Sequence, residues 1–240
     1  MSAHQPVYLP WLGLLHKVEV ADLFIIYDDV PYSRKMFYNR NKILGPNGPI
    51  MLSVPVTFSK NDQTNHCDIK IDNSTGWKKK HWKSIESSYQ KAPFYSRYCD
   101  ELKSVYDRDW DKLCDLNVEI LKLLMQAFGI ETPIRFSSEY GLVGEKSDRV
   151  MDMCTKSSTD VYLFGSQGKD YADTEAFKRN GVIPLFQDYQ HPQYSQGHRS
   201  GFEPYMSAID LLFFHGSDSR EIMMSGNPDG ADYVAAANHG

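Results

Sequence analysis

The chain has 240 residues, of which 41% are hydrophobic, 24% charged and 13% aromatic, with a formal net charge of −5. It can bury a sizeable core, and its acidic balance argues against a nucleic-acid backbone as partner, which demands a basic face. No apolar run approaches the roughly 18–20 residues that cross a bilayer and no charged-then-apolar leader opens the chain, so a cytoplasmic protein without a membrane span is expected.

The opening stretch, His4-Gln5-Pro6-Val7-Tyr8-Leu9-Pro10-Trp11-Leu12-Gly13, reads as the end of a strand, a polar turn and the start of a helix near residues 12–20, with Pro10 where a missing N–H costs little. Leu23 to Tyr27 is short and continuously apolar, as in a strand buried on both faces of a parallel sheet, and Asp28-Asp29 closes it. Pro31 to Lys42 is a polar segment, Pro46-Asn47-Gly48-Pro49 a turn, and Ile50 to Val56 β-like with Pro55 at an end. Residues 57–66 read as loop, and Ile69 and Ile71 as a short half-exposed strand. Trp77, His81, Ile85 and Tyr89 recur every four residues on one helix face. Pro93 opens a second helix, and Asp109 reads as the N-cap of a third that carries Trp110, Leu113, Leu116, Ile120, Leu124 and Phe128 and stops at Gly129. Strand and helix then alternate: strands at 132–138, 161–164 and 182–186, helices at 146–155, 172–179 and 207–215. The expected fold is therefore α/β, a mostly parallel sheet flanked by helices. It spans one domain over 1–222 with a mainly helical insert at 74–129, followed by a polar, flexible tail at 223–240.

Ligands of such sheets sit beyond the carboxyl ends of the strands, where His4-Gln5 and Asp28-Asp29 are both expected. His4 titrates near working pH and suits a general base or a carbonyl or phosphate contact. Asp28 could orient an amine, hold a ribose hydroxyl or bind Mg²⁺; as a neighbour of Asp29 on a strand, only one of the pair reaches a given face. Asn39-Arg40-Asn41-Lys42 offers a guanidinium and two amides for an anion. His81 lies on the apolar helix stripe and reads either as a core residue or as a catalytic one. Gly165-Ser166-Gln167-Gly168 occupies a strand-to-helix turn, where Ser166 and Gln167 could meet a phosphate, although neither a Walker pattern nor G-x-G-x-x-G is present. The loop around Asp188-Tyr189-Gln190-His191-Pro192-Gln193-Tyr194 suits a small polar ligand or a sugar face. The four cysteines, Cys67, Cys99, Cys114 and Cys154, lack Cys-x-x-Cys spacing and read as reduced structural thiols; no metal centre is expected.

Together, HQPVYLPWLG with Lys17, the Asp28-Asp29 strand end, Asn39-Arg40-Asn41, Trp77 with His81, Ser137-Ser138-Glu139, Gly165 with Tyr171, Asp188-Tyr189 with Tyr194, and SAIDLLF resemble the WbqC-like family. The resemblance runs from residue 3 to about 216. It implies a bacterial setting in gene clusters for O-antigen and other surface polysaccharides or natural products, and an aminoacyl, including glycyl, transfer onto a sugar. Gln5, Trp11, Lys17, Asn39, Asn41, Ser166, Gln167, Tyr171 and Tyr194 are then the expected substrate contacts.

The leading expectation is a cytoplasmic transferase that joins an acyl or aminoacyl group to an amine or hydroxyl of an activated, nucleotide-linked sugar. His4 takes the acceptor proton, Asp28 orients it, and Arg40 with the Asn amides holds the anionic donor. A nucleotidyltransferase is the alternative enzyme, although its H-x-G-H is absent. A non-catalytic sugar-nucleotide-binding or scaffold protein is the alternative outside enzymes, and a Cys154 nucleophile a weaker one. The sequence requires no cofactor, leaves Mg²⁺ open, and leaves donor, acceptor, oligomeric state and strand order undetermined.

Overall fold

A computed structural model describes residues 1–34, 36–58, 63–197 and 201–238. The loops expected at 57–66 and 187–201 thus each contain residues outside the described ones (59–62 and 198–200). The chain begins β1 (Ser2–His4), α1 (Leu12–Glu19) and β2 (Phe24–Ile26). Two small antiparallel pairs follow, β3 (Arg40–Gly45) with β4 (Gly48–Ser53) and β5 (Val56–Thr57) with β6 (Lys70–Ile71). Three helices, α2 (Trp77–Tyr89), α3 (Tyr95–Asp107) and α4 (Leu113–Phe128), then run in succession before β7 (Ile134–Phe136), α5 (Lys146–Lys156), β8 (Val161–Phe164), α6 (Thr174–Arg179) and β9 (Ile183–Phe186). The chain ends with α7 (Ala208–His215), α8 (Ser219–Met224) and α9 (Gly230–Asn238).

The central sheet has the order β7-β2-β1-β8-β9, and every pairing in it is parallel. Alternation along β2 explains its apolar run. Phe24 and Ile26 join a core with Leu12, Leu15, Leu124 and Leu211, whereas Ile25, with Ala3, faces the opposite core of Val150, Met153 and Phe177. The sheet is therefore covered on both faces. Its five strands, counted along the chain, lie in the order 3-2-1-4-5, the doubly wound arrangement in which the direction of winding reverses between the first and fourth strands. Here that reversal falls between β1 and β8, and their carboxyl ends carry His4 and Gly165.

The helical stripe reads true: Trp77, His81, Ile85 and Tyr89 are the buried residues of α2, and Gly129 ends α4 at φ +70°, a left-handed conformation that glycine adopts without strain. Two local expectations are corrected. Asp109 is not the cap of α4, which begins after Lys112; it is an exposed partner of Lys78. The intervening residues run extended because Ile71 N–H donates to Asp111 O and Leu113 N–H to Ile69 O, so tertiary pairing removes the first turn. Likewise Arg40, Asn41 and Lys42 form no polar loop but lie on β3, where Arg40 pairs with Ser53 and Asn41 with Leu52, so that neighbours point to opposite faces. In the tail expected to be flexible, Met223 and Met224 end α8 and Gly230–Asn238 form α9, and Gly230 approaches Val20 O so closely that a Cβ would stand 3.2 Å from it.

One fully buried carboxylate ties these layers together. Asp210, on the first turn of α7, accepts hydrogen bonds from Tyr89 Oη (2.9 Å), Tyr194 Oη (3.0 Å) and Gln196 Nε2 (2.8 Å). Burial raises its pKa, against the opposing effects of these hydrogen bonds and of the His215 charge. Asp210→Ala strands the two phenols and the amide, an expected loss of about 3 kcal/mol, or a fall in Tm of roughly 6–12 °C for a chain of this size. Asp210→Asn, which keeps an acceptor, is expected to lose less. Thermal melts of both variants read the difference.

Candidate functional site

At the carboxyl end of β1 the imidazole of His4 has a fixed tautomer. Its Nδ1 lies 2.8 Å from Gln5 O, and a carbonyl only accepts, so Nδ1 carries the proton and Nε2 keeps its lone pair. The Trp11 ring meets it edge-on at 5.5 Å. Burial, and then the positive charge of Lys17, push the His4 pKa down to about 3.

Lys17 is the second group. It projects from α1, is 4% exposed, and donates from Nζ to Ala3 O at 2.8 Å. A Cβ on Gly165 would stand 3.7 Å from that nitrogen. The ammonium thus sits between the ends of β1 and β8, at the winding reversal. Among the described residues no carboxylate offsets it: burial is the cause acting on its pKa, which falls to about 8. A buried cation left without an anion is unfavourable, and the arrangement suits one that arrives as a ligand.

A third group escaped the sequence reading. His66 is 2% exposed and close enough to His4 for its charge to lower that residue's pKa further. Its ring meets Tyr38 edge-on at 4.4 Å and Tyr32 at 5.3 Å, its Nε2 has no hydrogen-bond partner, and burial brings its pKa to about 4. It stands on a 3₁₀ turn, His66–Asp68, that Cys67 N–H fastens to Asp28 O. Its sequence neighbourhood is polar and without periodicity, so no pattern marked it as buried.

The other expected residues divide. Asp28 is spent on bracing rather than presented to a ligand: Oδ1 accepts from Ser137 Oγ and Ser138 N–H (both 3.0 Å) and Oδ2 from Ser138 Oγ (2.8 Å). Asp29 pairs with Arg149 at 2.6 Å. The catalytic role expected of His81 does not fit its surroundings. Its Nδ1 meets Tyr8 Oη at 2.8 Å, its ring also bonds the Ser53 backbone, and Tyr8 in turn bonds Tyr106. It is a core histidine, with burial lowering its pKa to about 4. Asn39 and Asn41 give their amides to Val54 O and Leu9 O, and so shape the chain rather than a ligand. The Arg40 guanidinium lies 6.0 Å from the Phe37 ring and acts on Tyr32, on the far side of His66. Ser166 and Gln167 are exposed on the turn after β8, and Tyr171 leans edge-on against Phe164. The hydroxyl of Tyr194 is committed to Asp210, leaving its ring to the loop. Gln5 lines a small apolar void with Val7, Leu14 and Phe24.

Among the described residues no three His, Cys, Asp or Glu side chains gather as a metal set, and no helix is long and apolar enough to cross a membrane. A broader cleft opens at the opposite, amino-terminal edge of the sheet between Asp22, Ser158, Asp160 and Tyr233, but no histidine, lysine or arginine lines it. The chemistry collects at the carboxyl edge.

Fold and site together define a doubly wound α/β protein with a buried lysine beside His4 at its winding reversal. By sequence the chain belongs to the WbqC-like protein family, whose model matches residues 5–222. It is also similar to "Uncharacterized protein Rv1507c" of Mycobacterium tuberculosis (strain ATCC 25618 / H37Rv), with 29% identity over 220 residues that cover 91% of this chain and 95% of that protein. No solved structure matches it.

The three dehydrated imidazoles set an acid limit on stability. His4, His66 and His81 stay neutral in the fold down to about pH 3–4, whereas in the unfolded chain they take up protons near pH 6.5. The stability they confer is therefore complete above about pH 6.5 and declines as pH falls through that range towards 4, by up to about 1.4 kcal/mol per pH unit for each histidine. Denaturant titrations between pH 7.5 and 4.5 are expected to show this fall, and His81→Phe to make it shallower.

Proposed function

We propose that this protein is a transferase that joins an acyl or aminoacyl group to an amine or hydroxyl of an activated, anionic small molecule, a nucleotide-linked sugar being the class that best suits the crevice. The observation that carries the reading is the buried Lys17 ammonium, with no carboxylate acting on it among the described residues and close enough to His4 for its charge to act on that imidazole. Lys17 holds the anionic group of the donor or its departing fragment. The acceptor N–H or O–H attacks the acyl carbonyl carbon, its proton passes to His4 Nε2, and the leaving group departs with its electron pair and receives that proton from His4. In the empty site the imidazole is a weak base, because burial and the Lys17 charge both disfavour its protonated form. An anion seated on Lys17 offsets that charge and raises the imidazole's basicity, so occupancy of the donor site switches on the base. The surface-polysaccharide setting that the family resemblance implies would supply an activated sugar as one substrate.

Lys17→Met tests the assignment in two opposed ways. Exchanging a buried, unpaired charge for an apolar chain of similar length is expected to stabilise the protein by about 1–3 kcal/mol at pH 7, while the calorimetric binding of inorganic pyrophosphate or of uridine diphosphate N-acetylglucosamine is lost. A variant that binds these anions as the parent does removes Lys17 from the site. With a turnover assay by mass spectrometry across acyl and aminoacyl donors, His4→Ala is expected to lower kcat/KM by about 10²-fold or more; a loss within about threefold would exclude His4 as the base. In the same assay kcat/KM is expected to fall above about pH 8, as Lys17 gives up its proton, and to stay level through pH 6.5, because the His4 transition lies near 3. Lys17→Arg is expected to move the alkaline limb upward.

A further inference from the structure

Beyond the anion site, an aromatic run leads from His4 outwards. Trp11 meets the His4 imidazole. Gly13 follows, and a Cβ there would stand 3.1 Å from the Trp11 indole nitrogen and 3.0 Å from the Tyr189 ring, so only glycine lets Trp11 and Tyr189 close together without displacement. Tyr189 then neighbours His191 at 6.3 Å, and His191 meets Tyr205 edge-on at 5.1 Å.

The end of this run is built to hold an exposed ring in place. Tyr205 is 65% exposed and has a φ of +61°, a conformation uncommon for a bulky side chain. Its backbone N–H donates to His191 Nε2 at 3.2 Å, and His191 Nδ1 is anchored on Pro192 O at 2.9 Å. Behind His191 the ring of Tyr194 stacks at 6.2 Å and 24°, fixed through its hydroxyl to Asp210, and Phe202 packs at 5.7 Å. Strained, well-supported residues of this kind cluster at ligand clamps. Nothing else in the described structure covers Tyr205.

We infer that the Trp11–Tyr189–His191–Tyr205 run is the acceptor subsite, a shelf on which the apolar faces of a neutral oligosaccharide rest with its reacting end at His4. The inference rests on the transfer reading above and names the acceptor for it. Aromatic rings with polar rims match a ligand that is apolar on its ring faces and hydroxylated at its edges. The run extends over successive rings, which fits linked sugar units rather than one. Among the described residues no arginine or lysine stacks on these rings; such cation–ring contacts lie at Phe37, Phe58, Tyr98, Trp110 and Tyr27 instead. In this reading the shelf takes the acceptor sugar and the Lys17 end the anionic donor.

The test titrates the full chain with cellotriose and chitotriose, and with uridine and adenosine as flat-ring controls, by saturation-transfer NMR and tryptophan fluorescence. Tyr205→Asn removes the ring but suits the left-handed backbone; Tyr205→Phe keeps the ring. Saturable binding of a trisaccharide is expected, weakened about tenfold in Tyr205→Asn and within about twofold of the parent in Tyr205→Phe, effects of the size that single aromatic contacts carry. Lys17→Met is expected to retain this binding while losing that of pyrophosphate. The inference is overturned if neither trisaccharide binds saturably, if Tyr205→Asn binds them as the parent does, or if the nucleosides bind more tightly and are the ligands that Tyr205→Asn releases. Pyrophosphate binding that survives Lys17→Met would instead undo the transfer reading and leave the saccharide result as a site in its own right.

Discussion

The arrangement of this molecule turns on a single ammonium group. Lys17 leaves α1 and ends between the carboxyl ends of β1 and β8, donating to one backbone carbonyl, with no carboxylate among the described residues to offset it. A charge in that position works against folding, and the rest of the structure must supply the difference. It does so through the apolar cores on both faces of the sheet, which fasten α1 on one side and α5 and α6 on the other.

Around this charge, the polar groups of the fold serve two purposes. Asp28 and Asp210 hold structure: each buried carboxylate gathers several neutral donors and clamps segments far apart in sequence, Asp28 the ends of β2 and β7, and Asp210 the α2, α7 and aromatic-loop layers. The imidazole of His4 is held neutral by burial and the Lys17 charge, and that of His66 by burial. A neutral imidazole next to an unpaired cation is a proton acceptor in waiting, because whatever anion satisfies the lysine also makes the histidine more basic. In the transfer reaction proposed above, donor binding and base strength would be linked in this way by electrostatics, without a conformational change.

Much of the scaffold was legible in the chain. The continuous apolar run at 23–27 marks a doubly buried strand, the four-residue stripe of Trp77, His81, Ile85 and Tyr89 marks the buried face of α2, and Gly129 marks a helix end, since each depends on residues close in sequence. The site was legible only in part. His4 and Lys17 belong to the opening motif and were singled out with it. His66 lies in a polar stretch without periodicity, and what makes it part of the site, its burial between Tyr32 and Tyr38 beside His4, is a property of packing. Conversely, Asp28, Asn39, Asn41 and His81 had the right residue types for chemistry, but long-range partners engage them: Ser137 and Ser138, Val54 O, Leu9 O, and Tyr8 with Ser53.

By itself the sequence determined the class of fold, an alternation of apolar strands and amphipathic helices that buries a parallel sheet, and the family to which the chain belongs. These follow from local periodicity and from a motif read in place. Only the tertiary structure decided the strand order, the winding reversal between β1 and β8, and which polar side chains are left without a partner there. The physical reason is that a hydrogen-bond donor or a charge is free or committed according to what folding brings within about 3 Å of it, and for Lys17, Asp28 and His81 the groups that decide this come from elsewhere in the chain.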